Sequence, residues 1–416
     1  MTNRLSLWTA LALGCVVAVP ASVLVSQVAS AADKEKKNTV TPALAKSLKA
    51  AQDALTAKKY PEAIAKLQEV RAMPNRTPYD NFVIAELSYP AYAGVKDYEH
   101  AAEYMEEVVN SGFAAPDDLP RLTRSLAQVA YQLKNYDKAI EFGNRAIKLG
   151  GVDEEFYTMV GQAYYIKNDF KGAYKFFTSY VDEQQRAGHS PKEQTLQLIM
   201  SSCIKMNDDA CTTRALEQLV AHYPKPDYWK NLIYSLRKSS NSNDNTTLNI
   251  DRLASDVDAM GPGDYSDMAQ LAMEAGLPGE AQSILEKGFA KGVFTEARDK
   301  DKYNRLLEAA RKQATADKAQ LSAQEAQTSA AKAGDPDVKL GLAYLTYGEY
   351  DKAVAAIQRG LGKGGVKNPD EADILLGIAE LKLRNRDEAI KAFKSAKADP
   401  NLTRLAGLWV LHAQQG

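Results

Sequence analysis

Small, large apolar and polar positions along this chain recur in one phrase that returns in phase. The phrase is a polar turn residue, an aromatic residue, and Ala three positions later. It reads Lys59-Tyr60 with Ala63, Asp97-Tyr98 with Ala101, Asn135-Tyr136 with Ala139, Asp169-Phe170 with Ala173 and Glu349-Tyr350 with Ala353. Weaker copies place Ala281 after Pro278 and Ala389 after Arg386, and Asp209 follows a similar turn at Met206-Asn207-Asp208. With the aromatic position as anchor, the steps are 38, 38, 34 and 39 residues, then 36 at the C-terminal end. The gaps from 209 to 278 and from 278 to 350 are each close to two periods, so each holds one degenerate copy. The spacing predicts about ten antiparallel helix pairs.

The residue types at fixed offsets have a physical reason. Nine positions before most anchors stands a small residue: Ala51, Ala127, Gly161, Ala269, Gly341 and Gly377. Together with the Ala at +3, it lets the two helices of a pair approach closely. At +7 stands a large apolar residue (Leu67, Met105, Phe177, Leu285, Ile357, Phe393), placed to fill the space between repeats. Tyr92, Tyr164 and Tyr344, six before their anchors, bury a ring and keep a hydroxyl for a partner. Each helix has an apolar face it cannot bury alone, so neighbours must stack. This order of small, aromatic, turn, aromatic and Ala resembles the tetratricopeptide repeat. The resemblance implies an all-α fold, a solenoid of about ten helix pairs wound as a superhelix. The second copy departs, with Tyr89 at the small position and Pro90 inside its first helix, where a kink is expected.

Two stretches interrupt the pattern. Residues 238–247 contain no apolar side chain and read as an irregular loop in the sixth repeat. Residues 310–333, in a degenerate repeat at 300–333, are rich in Ala, Gln and Lys and read as helical but loosely packed. Leu402 to His412, with Trp409, reads as a helix that caps the apolar end of the array.

A repeat array reconciles the chain's 416 residues with the limits on a single core. Lys plus Arg total 52 and Asp plus Glu 53, so no net charge draws the chain to nucleic acid. Arg4 precedes an apolar run from Leu5 to Ala29 that ends in Ala29-Ser30-Ala31. The expectation is a cleaved signal peptide at 1–31, a flexible leader at 32–41 and the solenoid at 42–416. The run is also long enough to span a membrane, so an uncleaved anchor stands as the alternative, and Leu13-Gly14-Cys15 is a faint lipoprotein box. Each reading places the body outside the cytoplasm, in the periplasm, with membrane contact only through partners or that segment. Cys203 and Cys211 then remain as an even pair in an oxidising compartment. Their positions flank the turn at Asn207 and suit a disulfide; two buried thiols are the alternative.

Signs of chemistry are lacking. The four histidines lie far apart, and no Cys-x-x-Cys exists, so no metal site is expected. Gly360 to Gly365 superficially resembles a phosphate loop, but Gly364 follows Lys363 where Ser or Thr would hold magnesium. Glycine there reads as a helix stop. No catalytic pair stands out, so the expectation is a protein without enzymatic activity or cofactor.

What remains is the concave face. The resemblance implies a partner-binding groove on the first helix of each repeat, taking a peptide or helix. Carried onto this chain it comprises Arg121, Arg124, Gln128, Tyr131, Glu155, Thr158, Gln162, Tyr165, Gln197, Ser201, Gln270 and Met273. Arg121 and Arg124 suit an acidic segment, or else are a solvated helix start. Gln128 and Gln162 stand where chaperone-binding members carry a clamp Asn.

Several stretches also resemble periplasmic tetratricopeptide proteins associated with TonB–ExbB–ExbD systems. They are Thr77-Pro78-Tyr79 with Asn81-Phe82, Tyr223-Pro224-Lys225 with Asp227-Tyr228-Trp229, Ala281 to Gly288, and Lys363-Gly364-Gly365 with Glu371-Ala372. This resemblance implies a scaffold serving TonB-dependent outer-membrane transport, with envelope proteins as partners. A scaffold for outer-membrane or peptidoglycan assembly is the other reading.

Overall fold

The structure, a computed structural model, describes residues 38–239 and 243–415. The expected signal segment 1–31, residues 32–37 of the leader, and 240–242 of the proposed loop lie outside the described residues. All regular structure among the described residues is helical. In chain order the helices are α1 (Pro42–Thr56), α2 (Tyr60–Ala72), α3 (Pro78–Gly94), α4 (Tyr98–Asn110), α5 (Leu119–Gln132), α6 (Tyr136–Leu149) and α7 (Glu154–Ile166). Next come α8 (Phe170–Arg186), α9 (Glu193–Lys205), α10 (Asp209–His222), α11 (Pro226–Ser239), α12 (Asp244–Asp256), α13 (Pro262–Glu274) and α14 (Pro278–Ala290). The last are α15 (Ala297–Lys318), α16 (Leu321–Ala330), α17 (Asp335–Thr346), α18 (Tyr350–Lys363), α19 (Pro369–Lys382), α20 (Arg386–Phe393) and α21 (Pro400–Ala413). They make ten successive pairs and one terminal helix. The chain divides into two compact units, Met1–Ala173 and Tyr174–Gly416, with the boundary inside α8.

Every anchor opens the second helix of a pair, and the turn before it has one geometry. Two residues ahead of the anchor the backbone is left-handed: Lys58, Lys96, Lys134, Asn168, Asn207, Gly276, Gly348 and Arg384 have φ between 54° and 74°. The residue after it returns its N–H to a carbonyl near the end of the first helix, as Asn135 does to Ala130 at 2.8 Å. Six of these eight positions are not glycine, so the turn is held against a local cost by the packing of the helices it joins. No such residue is seen at the α11–α12 or α15–α16 junctions among the described residues. Those are the two pairs hidden in the double-length gaps.

The offsets explain how a pair closes. A Cβ on Gly341 would lie 2.4 Å from Ile357 Cγ1, and one on Gly377 would lie 2.4 Å from Phe393 Cε1. The large side chain at +7 therefore fills the notch left by the small residue at −9 of its own pair. The expectation that it fills space between repeats is corrected, because the bare helix surface it needs is across the hairpin. Gly334 approaches Gly360 even more closely, backbone to backbone, with Gly334 N–H donating to the Gly364 carbonyl at 2.7 Å. Gly364 and Gly365, at φ 73° and 66°, end α18 there. Lys363 donates to the Thr328 and Ser329 carbonyls at the end of α16 and to Asp337. That stretch terminates a helix, and its lysine is committed to packing.

Of the two interruptions, the first differs from expectation and the second is helical and sparsely packed, as its composition implies. α11 runs to Ser239 and α12 begins at Asp244, capped by Asn243, whose side chain accepts from the Thr246 N–H. Within the expected loop at 238–247, residues 238–239 and 244–247 are thus helical, and Asn243 caps a helix instead of extending a loop. Residues 297–330 form α15 and α16, which bury only Leu307, Ala310, Ala314 and Leu321. α3 runs through Pro90, which has no N–H to return to the Glu86 carbonyl.

In the second unit α21 does more than cap the last repeat. Trp409 stacks on Phe393 of α20, with centroids 5.5 Å apart. The same helix and the residues just after it reach back to much earlier helices: His412 Nε2 lies 3.0 Å from Asp256 Oδ2, and Gln415 donates to the Val220 carbonyl at 2.8 Å. Lys382 of α19 also pairs with Asp256, and Asn249 of α12 donates to Glu371 at 2.9 Å. One apolar cluster includes Val220, Trp229 and Leu253 together with Ile378, Leu405 and Trp409. The unit closes on itself. Burial opposes ionisation of Asp256, but His412 and Lys382 outweigh it and hold its carboxyl down at about 2.

Cys203 at the end of α9 and Cys211 in the first turn of α10 are bridged, with Cα atoms 5.4 Å apart and both side chains buried. The bridge closes a short loop, so its removal by Cys203→Ala/Cys211→Ala is expected to cost about 2–3 kcal/mol on the chain-entropy account. Urea unfolding of the variant, together with thiol titration of denatured, unreduced protein, checks this; two free thiols in the parent would contradict the bridge. The left-handed turns generate a second expectation. Lys134→Gly should stabilise the protein by up to about 1 kcal/mol, and a lowered thermal midpoint would show the turn geometry to be different.

Candidate functional site

The expected groove residues sit 15, 12, 8 and 5 positions before their anchors, on the first helices of the pairs. Eight of them belong to α5 and α7 of the first unit. Arg121 is exposed and pairs with Asp118 at 3.1 Å, one turn earlier. It also bonds the Tyr89 hydroxyl of α3, whose ionisation burial opposes. Arg124 pairs with Asp153, the N-cap of α7, and lies over the Phe156 ring at 5.4 Å. Partial burial disfavours the Asp153 carboxylate, yet the Arg124 bond and the Phe156 N–H outweigh it and lower its pKa. Each arginine therefore already has a carboxylate partner within the chain.

Further along the face, the Tyr131 hydroxyl donates to Gln162 Oε1 at 3.3 Å, joining α5 to α7. Tyr165 meets the Phe170 ring edge-on at 5.2 Å. Gln128, Thr158, Gln162, Tyr131 and Tyr165 are half-buried, and Glu155 is exposed. The structure thus brings the eight into one band of amides, hydroxyls and rings, with no nucleophile–base pair among them.

The four residues of the second unit are bound into its packing. Gln197 Nε2 donates to the Tyr228 hydroxyl at 2.6 Å, and that hydroxyl donates in turn to Glu193, which Lys225 also holds at 2.6 Å. Ser201 is half-buried one turn after Gln197 on α9. Gln270 and Met273 are half-buried on α13, and Met273 packs against the cluster around Tyr265 and Leu285.

One face residue escaped the sequence reading. Glu86 of α3 stands 12 before Tyr98, the register of Arg124 and Thr158. The irregular Tyr89-Pro90 in the same helix drew attention away from that register. Glu86 is half-buried, and no cation pairs with it among the described residues. Burial, and then the negative charge of Asp118, raise its pKa. A pocket of about 270 Å³ lies near the start of α3, lined by Pro78, Asn81, Phe82, Glu107, Asn110, Ser111 and Phe113. Its polar groups are taken: Glu107 by Arg71, Asn81 by Arg76 and Asn110 by Arg145. No group of metal-ligating side chains exists among the described residues, and none of their helices is long and apolar enough to cross a membrane.

The family model described as tetratricopeptide repeat matches residues 90–154 and 338–402. The chain contains tetratricopeptide repeats. The matched stretches include α4 to α6 and most of α17 to α20, with the repeated left-handed turns at Lys96, Lys134, Gly348 and Arg384. No curated protein matches the sequence. Among solved structures, the TPR2AB domain–pHSP90 complex of yeast Sti1 is similar at 15% identity, covering 72% of this chain and 100% of that one with a TM-score of 0.24. A tetratricopeptide repeat protein of Parabacteroides merdae is similar at 10% identity, covering 79% and 98%, with a TM-score of 0.27. Yeast Tom70 is similar at 12% identity, covering 90% and 96%, with a TM-score of 0.24. Scores this low carry no further argument, and the repeat assignment rests on the matched stretches.

Glu86 yields a test of the face's electrostatics. Its raised pKa means the folded state disfavours the charged form, so the penalty is complete above the folded pKa, shrinks as pH falls from there, and is gone below the unfolded value of about 4.3. Glu86→Gln is expected to raise the thermal midpoint by a few degrees at pH 7, with the gain shrinking toward pH 4. Equal midpoints at both pH values would show Glu86 to be solvated.

Proposed function

We propose that this chain is a non-enzymatic scaffold of the cell envelope that captures a segment of another protein on the first-helix face of its repeats. The observation that carries this reading is the band on α5 and α7. It is half-buried, polar and aromatic, repeats in register, and holds no catalytic arrangement. Such a surface offers hydrogen bonds and rigid rings with little ordering cost, which suits recognition. Export to the periplasm is supported by the apolar N-terminal run and by the Cys203–Cys211 bridge, since disulfides persist in oxidising compartments. The link to TonB-dependent transport rests on the sequence resemblance alone.

A photocrosslinking amino acid placed at Tyr131, in cells, tests the reading against a control at Glu141, an exposed position on α6. The expected outcome is a discrete adduct from position 131 and none from 141, identified by mass spectrometry as an envelope protein. A TonB-system component or its transporter supports the finer reading, and a peptidoglycan or outer-membrane assembly factor replaces it. Adducts from 141 alone would place binding on another face.

A further inference from the structure

The charges at the register positions of α3, α5 and α7 and at the N-caps before α5 and α7 do not balance. Glu86, Asp118, Asp153 and Glu155 stand against Arg121 and Arg124. Asp118 and Asp153 occupy the two guanidinium groups, and no cation pairs with Glu86 or Glu155 among the described residues. Glu155 is exposed, so water serves it. Glu86 is half-buried beside the Tyr89 hydroxyl and within reach of the Asp118 charge, an environment that penalises its ionised form.

Packing gives no reason for a carboxylate at this position. Gln or Met would cover the same surface without the desolvation penalty. A group kept at a cost to stability is characteristic of a binding surface. The missing element is an opposite charge, and its location is fixed: over α3, at the end of the band formed by α5 and α7. A charge-assisted bond from an ammonium or guanidinium group would offset the burial cost and leave a net attraction. The neighbouring rings add to it, because a cation with an aliphatic stem packs favourably on tyrosine. Farther along the band, Gln162 accepts from Tyr131 through its oxygen, which leaves its NH₂ group with donor capacity suited to a main-chain carbonyl.

We propose that this face takes an extended, basic segment of a partner protein, with a Lys or Arg side chain of that segment seated on Glu86. The inference rests on the scaffold reading above and reverses the charge expected of the partner from Arg121 and Arg124. Electrostatic complementarity of this kind sets register and partner choice more than raw affinity.

Selection of a random phage-displayed peptide library on the full chain tests it. The expected result is enrichment of sequences carrying Lys or Arg over those carrying Asp or Glu. A selected basic peptide should bind Glu86→Gln about tenfold more weakly than the parent, in line with the loss of one hydrogen bond between charged groups. The same variant should keep or raise the thermal midpoint, which separates lost recognition from lost folding. Enrichment of neutral or acidic peptides whose binding is weakened by Tyr131→Ala would overturn the basic partner and leave the scaffold face standing. Basic peptides that bind parent and Glu86→Gln equally would also overturn it. Failure to enrich any peptide would overturn both readings.

Discussion

The fold depends on one contact made inside each helical hairpin: a large side chain of the second helix entering the notch left by a missing one on the first. At Gly341 and Gly377 the notch is so tight that a single methyl would collide with Ile357 or Phe393. This contact sets how near the two helices come, and with it the separation their connecting turn must span. That separation explains why Lys58, Lys96 and Lys134 accept a left-handed backbone. The turn does not create the pair; the pair imposes the turn, and each lysine pays a local cost well below what burial of the helix faces returns. Where the notch pattern lapses, at α15 and α16, little is buried and no left-handed turn is seen among the described residues.

Once one face of a first helix is spent on its partner, its other face must either bridge to the next pair or stay open. In the second unit it bridges. Gln197, Tyr228, Glu193 and Lys225 form one chain of bonds from α9 to α11, and Arg237 ties α11 to Asp264 of α13 at 2.9 Å. In the first unit the corresponding rungs are Arg124 with Asp153 and Tyr131 with Gln162. The register that looks like a row of ligands in sequence is thus partly the mortar between repeats. Family resemblance could place these residues on the face, but it could not show which would be consumed by their neighbours.

The helices were legible because the period is short and the packing local: anchor, notch and +7 residue all lie within one hairpin. The capping helix was legible as an apolar segment after the last anchor. Its second role was not, because His412 and Asp256 are 156 residues apart and neither belongs to the repeating phrase. Closure of a unit on itself is a property of accumulated twist, which no single repeat encodes. The loop expected at 238–247 failed for a related reason, since polar residues that cap a helix and polar residues that avoid one have the same composition. Glu86 was missed because its helix carries Tyr89 and Pro90, and an irregular repeat is where register is hardest to follow.

The treatment of buried carboxylates elsewhere makes Glu86 informative. Asp80 is fully buried and accepts from the backbone N–H and hydroxyl of both Thr41 and Thr77, at 2.6 to 2.8 Å. Asp337, equally buried, is held by Arg359 and Lys363. Asp370 accepts three successive backbone N–H groups at the start of α21. In each case the sequence supplies a complete set of donors for a charge removed from water, as an interior of low dielectric demands. Even Asp256, at the joint where the second unit closes, has two cationic or donor partners from two helices. A chain that satisfies these carboxylates so fully has the means to satisfy one more. Glu86 on α3 and Asp373 on α19 depart from this pattern: each is half-buried with a second carboxylate as its charged neighbour, and of the two it is Glu86 that stands in the register of Arg124 and Thr158.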